Sequence, residues 1–327
     1  MTAVTVRVPA KVNLQLAVGP ARPDGFHELV TVFHAVSLYD EVTVSDAGHS
    51  RVTVTGEGAD SVPEGGGNLA VRAVTALAKA AGLPPRRVPR VVSPAAGGPA
   101  GTTSPPVAIE IRKRIPVAAG LAGGSADAAA ALVGCNELWK AGLTHAELAD
   151  VAAGIGSDVA FALVGGTSVG QGRGERLTPA LAAGQYHWVL AFATGGLSTA
   201  EVYRACDRIR AARDIVAAPP RLNTELMSAL RSGDPAEVGP LLSNELQPAA
   251  VSLRPELRRT LATGREYGAL GAVVSGSGPT CAFLVADAQR AVDLIVALTG
   301  AGVCRSAVRA VGPAQGAVVT STSEVTG

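Results

Sequence analysis

The sequence predicts an α+β fold divided into two domains. Its 327 residues are enough to build more than one hydrophobic core. Stretches of alternating apolar residues, typical of strands, are interspersed with stretches that carry an apolar stripe at helical spacing. A new set of such elements begins with a strand near Tyr186. We therefore expect a first domain over 1–180, a second over 181–313 and a flexible tail over 314–327.

Composition narrows the function. Hydrophobic residues make up 47% of the chain but aromatic residues only 3%, so the core must be packed mainly by Val, Leu, Ala and Ile. The formal net charge is +1 with both signs interspersed, which argues against nucleic-acid binding and a membrane-surface role. The four cysteines lack the spacing of a zinc site or a disulfide framework. We see no export signal and no apolar run of membrane length, and expect a cytoplasmic protein.

The first strands place two polar residues on a common face. Apolar residues alternate over 4–8, and we expect Pro9 to end this strand because it cannot donate a ladder hydrogen bond. The alternation resumes over 10–16, so Lys11 and Asn13 point the same way. The pattern alone favours a pair that faces water and leaves a functional pair open.

Two helices begin at recognisable caps. Asn68 precedes an apolar stripe and is expected to be its N-cap. Thr144 and Glu147 form a capping box at the start of another helix. That helix, a Gly turn over 154–156 and the next helix could indicate a helix-turn-helix, but the second helix offers almost no basic side chains for a DNA groove.

A glycine-rich stretch joins a strand over 107–111 to an Ala-rich helix over 126–139, which Ser125 is expected to cap. Its glycines lie at 120 and 123–124. A glycine-rich turn at a helix start presents unpaired N–H groups and the positive end of the helix dipole, so it predicts a phosphate site. A plain tight turn is the alternative. The spacing fits neither the Walker P-loop nor the dinucleotide fingerprint.

This stretch resembles the phosphate loop of the GHMP kinases, small-molecule kinases named after galactose, homoserine, mevalonate and phosphomevalonate. Their pattern is Pro-x-x-x-Gly-Leu-x-Gly-Gly-Ser-x-x-Ala. The resemblance implies an N-terminal nucleotide-binding α+β domain, a C-terminal α+β domain with an antiparallel sheet, ATP as phosphoryl donor, and Mg²⁺. The matching residues are Pro116, Gly120, Leu121, Gly123, Gly124, Ser125 and Ala128, and alanines replace frequent glycines at Ala118, Ala119 and Ala122.

Two N-terminal motifs narrow the resemblance to one subfamily. Pro-Ala-Lys-Val-Asn-Leu over 9–14 and Asp-Gly-Phe-His-Glu-Leu over 24–29 resemble the signature of the kinases that phosphorylate the 2-hydroxyl of 4-diphosphocytidyl-2-C-methyl-D-erythritol (CDP-methylerythritol). This reaction belongs to the non-mevalonate route to isoprenoid precursors. Most members have Tyr where this chain has Phe26, a change that keeps a stacking ring and loses a hydroxyl.

The catalytic pair implied by the resemblance is Lys11 and Asp158. Asp158 lies in an apolar stretch, where a carboxylate is either an N-cap or a functional group because an unpaired buried charge is costly. The segment 156–159 is similar to the motif that carries the catalytic Asp, with Ala160 in place of the usual Pro. By resemblance, Asp158 accepts the proton of the substrate hydroxyl, and Lys11 pairs with it and steadies the transferring group.

The resemblance also implies the binding residues. Phe26 and Tyr203 would stack on the cytosine from opposite sides, although sequence alone favours a packing role for Tyr203. His27 and Asn13 would read the cytosine edge or the ribose. The segment 275–278 resembles the third GHMP motif. The implied nucleotide-binding residues are Asn68, Lys113, Pro116, Val117, Ala118, Ala119, Gly120, Leu121, Ala122, Gly123, Gly124, Ser125, Gly276 and Gly278.

The sequence leaves two alternative functions to consider, and it predicts one mobile segment. Another small-molecule GHMP kinase, of the homoserine or mevalonate type, would keep the loop without the two N-terminal motifs. A nucleotide-binding regulatory module would have no reason to keep both Lys11 and Asp158. The Pro- and Gly-rich segment 93–106 has too little apolar surface to offset its ordering entropy, so we expect a mobile loop. The sequence leaves both a monomer and a homodimer open.

Overall fold

The computed structural model describes residues 2–83 and 105–324 and mixes helices with two sheets, which confirms the predicted α+β fold. The segment predicted to be mobile, 93–106, lies outside the described residues except for its last two positions. Within these residues no helix has the length and apolar character needed to cross a bilayer. The strands are β1 (Thr2–Ala21), β2 (His27–Asp46), β3 (Arg51–Gly56), β4 (Val107–Lys113), β5 (Thr167–Gly172), β6 (Arg176–Pro179), β7 (Tyr186–Phe192), β8 (Ser243–Asn244), β9 (Gly271–Val274), β10 (Cys281–Val285), β11 (Ser306–Gly312) and β12 (Val318–Glu324).

The helices begin at caps that the sequence predicts in part. Asn68 caps the first helix through the N–H of Ala70, and Thr144 and Glu147 form the predicted capping box. Ser125 was expected to cap the second helix, but that helix begins at Gly123 and Ser125 lies in its first turn. The helices are α1 (Leu69–Ala80), α2 (Gly123–Leu138), α3 (His145–Ile155), α4 (Ser157–Val164), α5 (Thr199–Ala212), α6 (Thr224–Ser232), α7 (Pro235–Val238), α8 (Gln247–Leu253), α9 (Glu256–Glu266) and α10 (Ala288–Gly300).

The two sheets differ in their pairing. The larger sheet has eight strands, with β12-β1-β2-β4-β3 along its main path, β5 and β6 extending from β2, and β8 parallel to β1. The smaller sheet has the order β11-β7-β10-β9 and is antiparallel throughout. This sheet agrees with the antiparallel sheet expected in the second half of the chain.

Pro9 does not end the first strand, contrary to our expectation. β1 continues through Pro9, and its ladder with β2 shifts register there, because Pro9 faces Tyr39 whereas Ala10 faces Val36. A residue without an N–H cannot extend a regular ladder, so the strand accommodates it as an irregularity. The part of β1 that follows carries Lys11.

The C-terminal segment is not a flexible tail. β12 runs antiparallel to β1, from the pair Thr2 and Glu324 to the pair Arg7 and Val318. The prediction for 314–327 is therefore wrong for its described part. The Ser- and Thr-rich composition of this segment resembles that of disordered chains, but its order comes from a partner strand at the other end of the sequence.

The two sheets share a hydrophobic core. One apolar cluster joins the larger sheet to α1, α2 and α4 and continues to β7, where it includes Trp188 and Leu190. The alternate residues of β7, Val189 and Ala191, belong to a second cluster with α5, α8, α9 and α10. Because one cluster crosses the expected domain boundary, the division near residue 180 stays a prediction.

Candidate active site

The glycine-rich loop between β4 and α2 has an unusual backbone. Ala118, Gly120 and Ala122 have φ angles of 51°, 77° and 61°, in the left-handed region. This conformation costs an alanine roughly 1–2 kcal/mol, whereas glycine adopts it freely. Gly120 is also required for space, because a Cβ there would overlap the carbonyl oxygen of Ser275. Alternation of left- and right-handed residues turns successive N–H groups toward a common concavity, which binds anions.

The hydrogen bonds of the loop leave its N–H groups available. Each carbonyl oxygen from 118 to 122 accepts a hydrogen bond from a different donor. In the part of the chain that the structure describes, the N–H groups of the same five residues have no acceptor. The loop therefore presents a row of unused donors at the start of α2, as a phosphate site requires. In order of the carbonyls, the donors are Leu197 N (3.2 Å), Thr280 N (3.3 Å), Ser275 Oγ (3.0 Å), Lys11 N (3.3 Å) and Ala126 N (2.9 Å).

Lys11 is buried, with its side chain held in a directed hydrogen-bond chain. Its Nζ donates to Asn13 Oδ1 at 2.5 Å, and Asn13 Nδ2 donates to Thr31 Oγ1 at 2.8 Å. The Thr31 hydroxyl donates in turn to the carbonyl of Gln15, at 2.7 Å. The amide of Asn13 is thus engaged on both sides and only 2% exposed. This placement favours support of Lys11 over the direct substrate contact that the resemblance implies for Asn13.

Asp158 lies near Lys11 without forming an ion pair with it. It sits in the first turn of α4, whose N-cap is Gly156, so the N-cap alternative is excluded. Burial lowers the pKa of Lys11, and the Asp158 carboxylate opposes this effect. No ion pair of 4.0 Å or less joins these two described residues, so the structure shows them near each other without the direct contact that we expected. The lysine ammonium donates its hydrogen bond to Asn13 Oδ1 instead, and the Lys11 and Asp158 charges are not in direct contact.

The third motif packs against both Lys11 and the loop. Gly276 has a φ of 54°, and a Cβ built there would lie 2.9 Å from Lys11 Nζ and 3.0 Å from the carbonyl oxygen of Gly120. The Asn244 side chain fixes the motif by donating to the carbonyls of Val274 and Gly276, both at 2.7 Å. The motif therefore sets the position of the lysine head group. The second glycine of the motif, Gly278, donates its N–H back to Ser275 at 2.8 Å and closes the turn.

If Lys11 is catalytic, as the resemblance implies, Gly276→Ala is expected to lower kcat by about 100-fold, because small displacements of a catalytic group have effects of that order. A control variant separates this effect from backbone strain. Gly268 also has a positive φ, of 88°, but a Cβ there meets nothing within 4 Å. Gly268→Ala should therefore carry a similar backbone cost and keep its activity in an ADP-release assay. Equal activities of the two variants would contradict the role assigned to Gly276.

A buried ion network lies behind the loop. Lys113 Nζ pairs with Asp40 and, at 2.7 Å, with Asp127, and Asp40 also accepts the N–H groups of Arg114 and Ile115 at 2.6 and 2.9 Å. Burial lowers the pKa of Lys113, but Asp127 and Asp40 together raise it above its ordinary value. Burial raises the pKa of Asp127 to about 7, with Lys113 opposing and Asp40 adding to this. The network favours support of the loop by Lys113 over contact with a nucleotide.

Aromatic and charged groups gather at the start of β2. Phe26 is 52% exposed, and the guanidinium of Arg173 lies 5.0 Å from its ring centre. The rings of His27 and Tyr203 lie 5.0 Å apart at 35°. Burial, followed by the Asp158 carboxylate, raises the pKa of Tyr203. Tyr203 thus lies between the His27 ring, which it contacts, and the Asp158 carboxylate, whose charge acts on it.

Two further predicted nucleotide-binding residues, Asn68 and Ser125, differ in whether their side chains are free to bind a ligand. The Asn68 side chain already makes two hydrogen bonds: as the N-cap of α1 it accepts from the N–H of Ala70, and its Nδ2 donates to the carbonyl of Pro63 at 2.9 Å. The Ser125 hydroxyl makes no hydrogen bond to another described residue, at the start of α2 beside the loop. Residues 2–83 and 105–324 contain no group of three or more His, Cys, Asp or Glu side chains suited to a metal ion.

Sequence reasoning missed Thr31, Asp40 and Asp127. It also missed Asp207, whose Oδ1 lies 2.9 Å from His27 Nε2. Asp127 could have been found, because it is an isolated carboxylate in the Ala-rich run of α2, and the same argument singled out Asp158. Thr31 and Asp40 carry no comparable signal, since their partners come from distant parts of the chain.

Comparison with known proteins places this geometry in a family. The model of the GHMP kinases N terminal domain matches residues 68–166, and that of GHMP kinases C terminal matches residues 226–304. A 4-diphosphocytidyl-2-C-methyl-D-erythritol kinase of Mycolicibacterium gilvum (strain PYR-GCK) is 53% identical over 326 residues, covering 99% of this chain and 95% of its own. The protein of the same name from Nocardia farcinica (strain IFM 10152) is 54% identical over 318 residues, covering 97% and 96%.

Solved structures extend the comparison. The crystal structure of a 4-(cytidine 5'-diphospho)-2C-methyl-D-erythritol kinase matches with a TM-score of 0.70 and 32% identity, over 94% of this chain and 98% of the other. A homoserine kinase from Cytophaga hutchinsonii ATCC 33406 matches with a TM-score of 0.68 over 97% of both chains, but at 19% identity. That second likeness concerns the fold alone.

Proposed function

The chain belongs to the GHMP kinase family, and from that premise we infer that it transfers the γ-phosphoryl group of ATP to the 2-hydroxyl of CDP-methylerythritol. Relatives with that name are similar to it over nearly the whole chain, at 53% and 54% identity. The observation that carries the chemistry is the row of unused N–H groups from 118 to 122 beside Lys11. Phosphoryl transfer needs positioning and charge stabilisation more than covalent chemistry, and these groups supply both.

The phosphates of ATP would lie on the loop. Five N–H groups and the N-terminus of α2 offset their negative charge, while the carbonyls of the loop are bonded away from the site. Mg²⁺ would arrive with the nucleotide, since it binds through phosphate oxygens and few protein ligands. The Ser125 hydroxyl fits such a ligand set, because it is an oxygen at the loop that has no hydrogen-bond partner in the described ranges 2–83 and 105–324.

Asp158 and Lys11 would act on the two ends of the transfer. Asp158 accepts the proton of the 2-hydroxyl as that oxygen attacks phosphorus. Lys11, held by Asn13, stabilises the charge on the transferring group. The absence of a direct ion pair is compatible with this division of roles, because the reacting atoms need the space between the two side chains.

The substrate that accepts the phosphoryl group would be selected by the aromatic side chains at the start of β2. Phe26 exposes half its ring, His27 has one ring nitrogen without a protein partner among the described residues, and Tyr203 lies against His27. These groups offer stacking surface and a hydrogen-bonding edge for a pyrimidine. The substrates of homoserine and mevalonate kinases contain no pyrimidine, so these residues argue against both alternative functions.

The acceptor and the activity can be tested together. We expect purified protein with MgATP to release ADP in the presence of CDP-methylerythritol, and not with homoserine or mevalonate. Faster turnover with one of the latter would replace this proposal with a rival kinase. The absence of ADP with all three acceptors would indicate a nucleotide-binding module without turnover.

Location and partners belong to the same proposal. All four cysteines, Cys135, Cys206, Cys281 and Cys304, are free thiols, as expected in a reducing cytoplasm. The partners we propose are the two small-molecule substrates, with neither nucleic acid nor a membrane. Both a monomer and a homodimer are compatible with this proposal.

A further inference from the structure

One face of α5 holds the imidazole of His27 in place. Tyr203 and Asp207 are four residues apart and therefore lie on the same face of the helix. Tyr203 packs its ring against the imidazole, and Asp207 Oδ1 lies 2.9 Å from His27 Nε2. The imidazole is 7% exposed. Two side chains from the second half of the chain thus fix a residue that begins β2.

The helix is also anchored to β1, so Asp207 cannot easily move away. Arg210 donates to the carbonyls of Val18 and Gly19, at 2.7 and 3.2 Å, and pairs with Glu245 at 2.8 Å. Glu245 accepts in turn the N–H of Val18, at 2.8 Å. These contacts dock α5 on the strand next to the one that carries His27.

The carboxylate decides which ring nitrogen carries the proton. An ionised carboxylate only accepts hydrogen bonds, and a neutral imidazole has one N–H and one lone pair. With Asp207 beside Nε2, the N–H is at Nε2 and the lone pair is at Nδ1. Nδ1 has no hydrogen-bond partner among the described residues and is not fully buried. His27 therefore presents an acceptor on its accessible side.

We propose that Asp207 is a positioning residue that makes the site selective for cytosine over uracil by fixing the tautomer of His27. The two pyrimidines differ at one exocyclic group, which is an amino donor in cytosine and a carbonyl acceptor in uracil. An acceptor at Nδ1 pairs with the amino group and leaves the carbonyl unsatisfied, and a site with such an unpaired group discriminates strongly. This inference rests on the proposed function, since it assigns the base specificity of the same site.

The first test compares CDP-methylerythritol with its uridine counterpart in steady-state kinetics. Asp207→Leu removes the acceptor and is expected to lower kcat/KM for the cytidine substrate by about 10–100-fold, mainly through KM, and to change the uridine substrate less. Asp207→Asn keeps an oxygen that can accept from Nε2–H and is expected to have a smaller effect in the same direction. Glu201→Gln, an exposed carboxylate on the same helix, is the matched control and should leave both values unchanged. An unaltered cytidine-to-uridine ratio in both Asp207 variants would overturn the proposal. A purely structural role would instead lower both substrates together.

The second test reads the tautomer of His27 directly in the native protein. Nitrogen-15 NMR of the five histidines, with His27 assigned through His27→Asn, reports which ring nitrogen is protonated. We expect the Nε2–H form in the native protein and its loss in Asp207→Leu. A native Nδ1–H form would overturn the proposal. This result is independent of turnover, so failure of the proposed kinase activity with CDP-methylerythritol would be recognised separately.

Discussion

Asp158→Asn is expected to lower kcat by about 10²–10⁴-fold, the range of a general base. The amide keeps the size of the side chain but cannot take the proton of the attacking hydroxyl. The affinity for ATP should stay unchanged, because the groups that we propose to hold the nucleotide are the N–H groups of the loop. Single-turnover phosphoryl transfer and equilibrium ATP binding, measured on the same preparation, separate the two effects.

A nearby carboxylate provides the control for Asp158. Asp150 lies on α3, is exposed and forms no ion pair with another described residue. Asp150→Asn should behave like the native protein in both measurements. If Asp158→Asn also turned over at a near-native rate, Asp158 would not be the base.

Lys113→Met should reduce the free energy of unfolding by about 3–5 kcal/mol. The ammonium is the only cation that contacts Asp40 and Asp127 in the described chain, and all three side chains are at most 3% exposed. Without it, two carboxylates remain buried together. Methionine keeps much of the packing volume, so the loss reports the charge and not a cavity. Urea unfolding at neutral pH gives the value.

Lys79→Met is the matched control for Lys113. Lys79 is exposed in the last turn of α1, and its replacement should change the free energy of unfolding by no more than about 0.5 kcal/mol. A loss below about 1 kcal/mol in Lys113→Met would show that the network tolerates an unpaired carboxylate, contrary to the cost of such burial.

Features encoded by neighbouring residues could be predicted from the sequence. The glycine-rich loop between β4 and α2, the Asn68 cap and the Thr144 capping box each depend on a few adjacent positions whose residue types have fixed structural preferences. The left-handed alanines of the loop were not predicted as such, because alanine seldom adopts that conformation unless contacts such as those at Gly120 enforce it.

Features that depend on distant partners could not be predicted. β12 takes its order from β1, more than 300 residues away, and its own composition suggests disorder. Lys11 looked available for Asp158, but Asn13 on the same strand face takes its ammonium. The position of Lys113 just before the loop predicts a nucleotide ligand, but it does not indicate the two carboxylates that the lysine contacts, Asp40 and Asp127. In each case a local pattern gave the residue type correctly and could not give the partner.

We propose that a phosphoryl group is transferred in the space between Asp158, Lys11 and the loop, and that the oxygen that receives it is the 2-hydroxyl of the acceptor. Phosphorus-31 NMR of the product from MgATP and CDP-methylerythritol tests it most directly. We expect ADP and, in equal amount, a new phosphomonoester on the 2-hydroxyl, with the diphosphate of the acceptor intact. Inorganic phosphate in place of the monoester, or a monoester at a different hydroxyl, would contradict the account.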